Sequence, residues 1–253
     1  MNEFRLAIAS LTRIPVGGPS GSAAANAAAS RFYPVVGAGL AVLLTVTILL
    51  SAWFLDRTAA CAFTVAGWVI FTGGIHLHGL SNCFDGLAAG GNAPRRLQAM
   101  HDPRIGALGA VGLTVWCLLK FTLVSRCIDE GTISHAIWCA LIFARTPLPF
   151  EFAEGEPATP GRGTFAPLHT EIRRSDWLVA AVVGFGLMLP AGMTDSEIAI
   201  RLVVGIVAGT AATVAWHLTW YRRIGGLNGD VVGGAVEIRE LMMLLAMGLQ
   251  LPW

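Results

Sequence analysis

The chain has 253 residues, 55% of them hydrophobic and only 13% charged, with a net charge of +1. A soluble domain carries about 25% charged residues, so this composition argues against a globule in water and for a lipid-embedded bundle. Near-neutral charge offers no field for nucleic acid, and five cysteines without a CxxC pair give neither a zinc site nor a disulfide framework.

Phe4 to Leu11 is apolar but too short to cross a bilayer. It reads as an interfacial helix, followed by a flexible linker through Gly17, Gly18, Pro19 and Gly21, so that residues 1–30 precede the first span. The small residues of Ala23 to Ser30 do not complete a signal peptide, and no lipid anchor or internal repeat stands out. Seven apolar runs follow: Phe32–Leu55, Thr58–Ile75, Ile105–Leu123, Gly131–Ala144 continuing toward Phe150, Trp177–Thr194, Leu202–Tyr221 and the shorter Leu241–Trp253. A helix needs roughly 20 apolar residues to span the hydrocarbon core. The expected fold is all-α, a polytopic integral membrane helix bundle of about seven transmembrane helices, with one domain filling residues 1–253.

The odd-numbered loops between these runs hold only Arg57, Arg126 and Arg201. Every other arginine lies before the first run or in an even-numbered loop, and Lys120 lies inside the third run. Basic loops face the cytoplasm, so the N-terminus is expected there and the C-terminus outside.

The second loop is dense in polar groups: His76, His78, Asn82, Asp85, His101, Asp102 and Arg104. His78, Asn82 and Asp85 are spaced four and three apart, which places them on one face of a helix. Such a face can hold a hard cation or a metal-bound phosphate; it can equally be a solvated helix start. The fourth loop carries Glu151, Glu154 and Glu156 and reads as a solvated connector. In the sixth loop five glycines, among them Gly226 and Gly229, flank Asn228 and Asp230. Glycine backbone can approach an anionic ligand closely, Arg222 and Arg223 can bind phosphate, and Asp230 and Glu237 are about two helical turns apart. The other reading is a membrane-border turn. Lys120 requires an acidic or phosphate partner, or must snorkel to the interface. Acids recurring at the ends of two spans suggest a magnesium–diphosphate site, since magnesium binds through one or two carboxylates plus substrate phosphates.

Six ordered segments resemble the cobalamin synthase family (adenosylcobinamide-GDP ribazoletransferase, CobS): FRLAIASLTRIPVG, RFYPVVGAGL, GGIHLHGLSNCFDGL, MHDPRIGALGA, GRGTFA and GGLNGDVVGGAVEIRE. The resemblance implies an inner-membrane, magnesium-dependent phosphotransferase. It would join adenosylcobinamide-GDP to α-ribazole or its 5′-phosphate and release GMP. It implies Asp85, Asp230 and Glu237 as metal ligands, Asp102 as base and Arg104 as diphosphate clamp. His76, His78, Asn82, Lys120, Gly226, Asn228 and Gly229 become substrate contacts. The partners are the corrinoid nucleotide, α-ribazole and membrane lipid, with room for a homo-oligomer. The chain departs from the family pattern at three positions: His78 and Asn82 stand where two aspartates are expected, and Asn228 where threonine is usual. Losing two carboxylates weakens magnesium binding and keeps alive a noncatalytic, corrinoid-binding relative as an alternative. A transporter would place its polar residues near the bilayer midplane, whereas here they gather at span ends. A CDP-alcohol-type lipid phosphotransferase lacks its full aspartate pattern here.

Overall fold

The computed structural model describes residues 2–16, 21–159 and 165–250. Part of the expected N-terminal linker (17–20), most of the GRGTFA segment (160–164) and the end of the seventh run (251–253) lie outside them.

Helix α1 (Asn2–Leu11) is the short N-terminal helix expected from its apolar run. Ser22 caps α2 (Ala23–Ala29) by accepting from the Ala25 amide. A single 3₁₀ turn leads into α3 (Tyr33–Phe54), which carries Pro34 in its first turn, where no amide is missed. Asp56 caps α4 (Arg57–Thr72). Gly73 and Gly74 then both take left-handed backbone (φ 65° and 63°), which only glycine adopts without strain. The chain turns by 91° into α5 (Ile75–Ala88). The remaining helices are α6 (Ala93–Met100), α7 (Ala107–Asp129), α8 (Ile133–Arg145), α9 (Leu148–Glu154), α10 (Phe165–Glu171), α11 (Arg174–Gly192), α12 (Ser196–Ile224) and α13 (Gly229–Met247).

Five stretches are long and apolar enough to cross a membrane: 23–54, 107–129, 133–154, 174–192 and 196–224. The bent pair α4–α5 makes six if it counts as one span. Their outward faces carry exposed Leu49, Leu118, Val182 and Val207, as lipid contact requires. The protein is therefore a multi-pass α-helical membrane protein, and the expected count of seven is approximate. The second run is broken at Gly73, and the seventh overlaps only the end of α13, from Leu241 to Met247.

The sixth loop is not a loop. Its residues form the end of α12, a tight turn, and the first half of α13. Helix α13 packs against α5, α7, α8 and α12, and most of it from Val231 to Met247 is buried. The most charged apolar helix is thus the bundle's axis. Its four charged residues (Asp230, Glu237, Arg239 and Glu240) explain why it fails a hydropathy criterion that its neighbours pass.

All three arginines of the odd-numbered loops are ion-paired: Arg57 with Asp129, Arg126 with Glu130, and Arg201 with Glu130 and Glu197. By contrast, Arg95, Arg222 and Arg223 are exposed, with no ion pair among the described residues. Contact between α6 and α12 places these three arginines in one region of the bundle.

Candidate functional site

Helices α5 and α13 cross at Gly79. A Cβ there would lie 2.9 Å from the Asp230 carbonyl oxygen and 3.0 Å from its Cα, so only glycine permits this approach. The crossing sets the polar face of α5 against Asp230. Asn82 Nδ2 donates to Asp230 Oδ1 at 3.1 Å and lies 3.3 Å from His78 Nε2. An amide nitrogen only donates, so His78 Nε2 accepts and its proton sits on Nδ1. His78 and Asn82, where the resemblance leads one to expect aspartates, are therefore hydrogen-bonded in series to Asp230, which has no ion-pair partner among the described residues.

Arg104 is fixed by Asp102, with Nε at 3.0 Å and Nη2 at 2.9 Å, and Asp102 also accepts from the Arg104 amide at 3.0 Å. This paired geometry holds the Asp102 carboxyl down at about 2. The Arg104 side chain remains 87% exposed. His78, Asn82, Asp102 and Arg104 all line one cavity of about 390 Å³.

Asp85, expected as a metal ligand, does something else. Its two oxygens accept from the Gly106 amide at 2.9 Å and the Gly109 amide at 2.7 Å. It caps α7 from outside that helix, and a Cβ at either glycine would collide with its carboxylate. Glu237 is likewise engaged: it accepts from Lys120 at 2.8 Å and from Trp116 Nε1 at 3.0 Å, deep in the bundle. Asp85, Asp230 and Glu237 thus point at three different partners. No group of three or more His, Cys, Asp or Glu side chains among the described residues is placed to hold a metal. Among the described residues there is thus no cage of three or more such side chains for a magnesium ion, and one held through one or two carboxylates would need substrate phosphates to complete it.

Lys120, expected at substrate, is buried between Glu237 and Glu240 and lies 4.6 Å from the centre of the Trp68 ring. Asn228 is the N-cap of α13, accepting from the Val231 amide at 2.9 Å. The threonine expected there from the resemblance would serve the same purpose, since both residues cap helices well. Gly226 makes room for the 156–158 segment, which pairs with Leu227 through bonds of 2.7 and 2.8 Å. His76 and Gly229 line a different, larger cavity.

Sequence reasoning missed the buried ion network. Arg145 pairs with Glu240, and Arg239 pairs with Glu151, which is buried in α9 rather than solvated in a connector. The signal was present in GGAVEIRELMM: acids and a base at helical spacing inside an otherwise apolar stretch demand partners of opposite charge. With Lys120, Glu237, Glu240, Arg145, Arg239 and Glu151 all buried, charge is not confined to span ends.

The family model for cobalamin-5-phosphate synthase matches residues 3–248. An adenosylcobinamide-GDP ribazoletransferase of Acinetobacter baumannii is 31% identical over 248 residues, covering 96% of both chains. Enzymes of the same name from Pseudomonas putida (30% over 258 residues; 99% of this chain, 100% of that one) and Pseudomonas aeruginosa (32% over 226 residues; 86% and 85%) are similarly related. No solved structure matches the chain.

Proposed function

From the premise that the chain belongs to the cobalamin-5-phosphate synthase family, we propose that it is a membrane phosphotransferase. It joins adenosylcobinamide-GDP to α-ribazole or its 5′-phosphate, giving adenosylcobalamin or its phosphate and GMP. The observation that carries this reading is the His78–Asn82–Asp230 series, whose His78 and Asn82 line the same cavity as the Asp102–Arg104 pair while Asp230 is hydrogen-bonded to Asn82, in a chain matched nearly end to end.

A ribazole hydroxyl attacks the phosphorus that bears cobinamide. A new P–O bond forms as the bond to GMP breaks. Such a reaction asks mainly for positioning and neutralisation of charge. Asp230, oriented by Asn82 and free of a cation, is suited to take the hydroxyl proton. Asp102 is not suited, because Arg104 holds its pKa about as low as 2; it instead aims the Arg104 fork, which matches phosphate oxygens. Exposed Arg95, Arg222 and Arg223 draw a polyanion toward this region. Magnesium enters the reading only as a companion of the diphosphate, not as an ion caged by the protein.

We place the enzyme in the inner membrane as one transmembrane domain, with its N-terminus in the cytoplasm. The exposed arginines, set against the neutralised ones of the odd-numbered loops, support that side.

The test is a liposome assay with adenosylcobinamide-GDP and α-ribazole, following GMP and cobalamin by chromatography. Asp230→Asn is expected to lower kcat by about 10²–10⁴ while the protein still inserts. Corrinoid binding without GMP release, beside an active homologue, would instead identify a noncatalytic relative, the reading that the neutral His78 and Asn82 favour.

A further inference from the structure

A second cavity, of about 600 Å³, lies on the other side of the α5–α13 crossing. His76 lines it, while His78, two residues along the same helix and roughly 200° around it, lines the cavity described above. Helices α1, α2, α3, α9, α10 and α13 supply the remaining walls, including Asn26, Tyr33, Phe152, Leu168, Gly229 and Gly233.

Three features show what this space can take. Its volume is within the range of about 300–1,000 Å³ typical of small-ligand pockets, and it is far too small for a whole corrinoid nucleotide. Its walls are mostly apolar, Phe152 and Leu168 among them. On α13, Gly229 and Gly233, one turn apart, add no side chains to the wall, and Gly233 lets α13 pack closely on the His76 backbone. Finally, His76 is only 6% exposed, and its Nε2 is shielded without any hydrogen-bond partner. A buried imidazole nitrogen in that state is unfavourable until a ligand satisfies it.

We propose that this cavity is the acceptor pocket, seating the benzimidazole base of α-ribazole with His76 Nε2 donating to the ring nitrogen that does not bear the ribose. The ribose then leaves the cavity past Gly229, and the next residue is Asp230. The base is held on one face of the crossing and its hydroxyl is delivered to the other. The smaller cavity of His78, Asn82 and Arg104 keeps only the diphosphate of the corrinoid nucleotide, with the corrin ring outside it. This assignment rests on the transferase reading for its ligand, but its binding test does not require turnover.

The experiment measures α-ribazole binding to the full chain in nanodiscs by calorimetry, with steady-state transfer alongside. The variants are His76→Ala, His76→Gln and Leu168→Trp, the last filling the cavity from the half-buried face of α10. His76→Ala and Leu168→Trp should each weaken α-ribazole binding about tenfold and raise its KM in parallel, leaving the KM for adenosylcobinamide-GDP within about twofold. His76→Gln, which can still donate, should retain most of the affinity. An indole riboside, lacking the ring nitrogen, should bind the wild type more weakly than α-ribazole but bind His76→Ala equally well. Unchanged α-ribazole affinity across all three variants overturns the assignment. So does a co-purified phospholipid that Leu168→Trp expels without affecting α-ribazole. Cavity-dependent binding in a wild type that releases no GMP would sink the transferase reading and leave the pocket standing.

Discussion

Replacing Glu240 with Gln removes one charge while keeping the side chain's shape. Glu240 is 0% exposed, and its carboxylate bridges Lys120 of α7 and Arg145 of α8. Arg145 is itself 0% exposed, its Nε and Nη2 find no partner among the described residues, and Glu240 is its sole anion among them. The network balances Lys120, Arg145 and Arg239 against Glu151, Glu237 and Glu240. Glu240→Gln leaves an uncompensated positive charge in the bundle's interior. Breaking a buried pair this way costs about 3–5 kcal/mol. At about 2–4 °C per kcal/mol for a chain near this size, the melting midpoint in detergent should fall by roughly 6–20 °C. The double variant Arg145→Met/Glu240→Leu removes cation and anion together. It should be more stable than the sum of its single changes by about 2 kcal/mol. A Glu240→Gln variant that melts with the wild type, or a double variant that is merely additive, would refute the view that these charges hold the axis helix in place.

Two further outcomes follow from the site. The folded-state pKa of Asp102 lies below the ordinary carboxylate value, so the favourable pairing with Arg104 is present above about pH 4 and is lost only as pH falls toward 2. Asp102 should therefore contribute no inflection to the rate profile at neutral pH. Asp102→Asn should raise the KM for the corrinoid nucleotide roughly threefold to tenfold through a loosened Arg104 with the profile's shape unchanged; disappearance of an acid limb would instead make Asp102 the base. Gly79→Ala puts a methyl 2.9 Å from the Asp230 carbonyl. It should cost about 1–3 kcal/mol and lower kcat by displacing Asp230, a result checked by melting and turnover on the same sample.

The apolar runs gave away α3 and α11 to within three residues and α7 and α12 to within six, because lipid-facing helices must be apolar along their length. They misjudged α13 for the converse reason. A helix surrounded by protein can carry charge if its neighbours answer it, and those neighbours are distant in sequence: Glu240 meets Lys120 and Arg145, and Arg239 meets Glu151. The site was half legible. Spacing on α5 correctly put His78 and Asn82 on a common face, and Asn82 joins His78 to Asp230. Helical spacing could not show that Asp85, on the same repeat, turns to the start of α7, since that depends on the glycines at 106 and 109, more than twenty residues away. Nor could it show that Asn228 is spent on a helix cap.

The burial of α13 also constrains how the protein is made. Placing Asp230, Glu237, Arg239 and Glu240 alone in a bilayer would cost about 2.5–3.5 kcal/mol for each residue near the centre, so this helix is a poor candidate for independent insertion. Its counter-charges are encoded earlier: Lys120, Arg145 and Glu151 leave the ribosome first. Those residues must wait, mutually mismatched, until α13 arrives and neutralises them. The order of the genetic text thus doubles as an order of assembly, in which the last helix of the described bundle slots into a socket already charged to receive it.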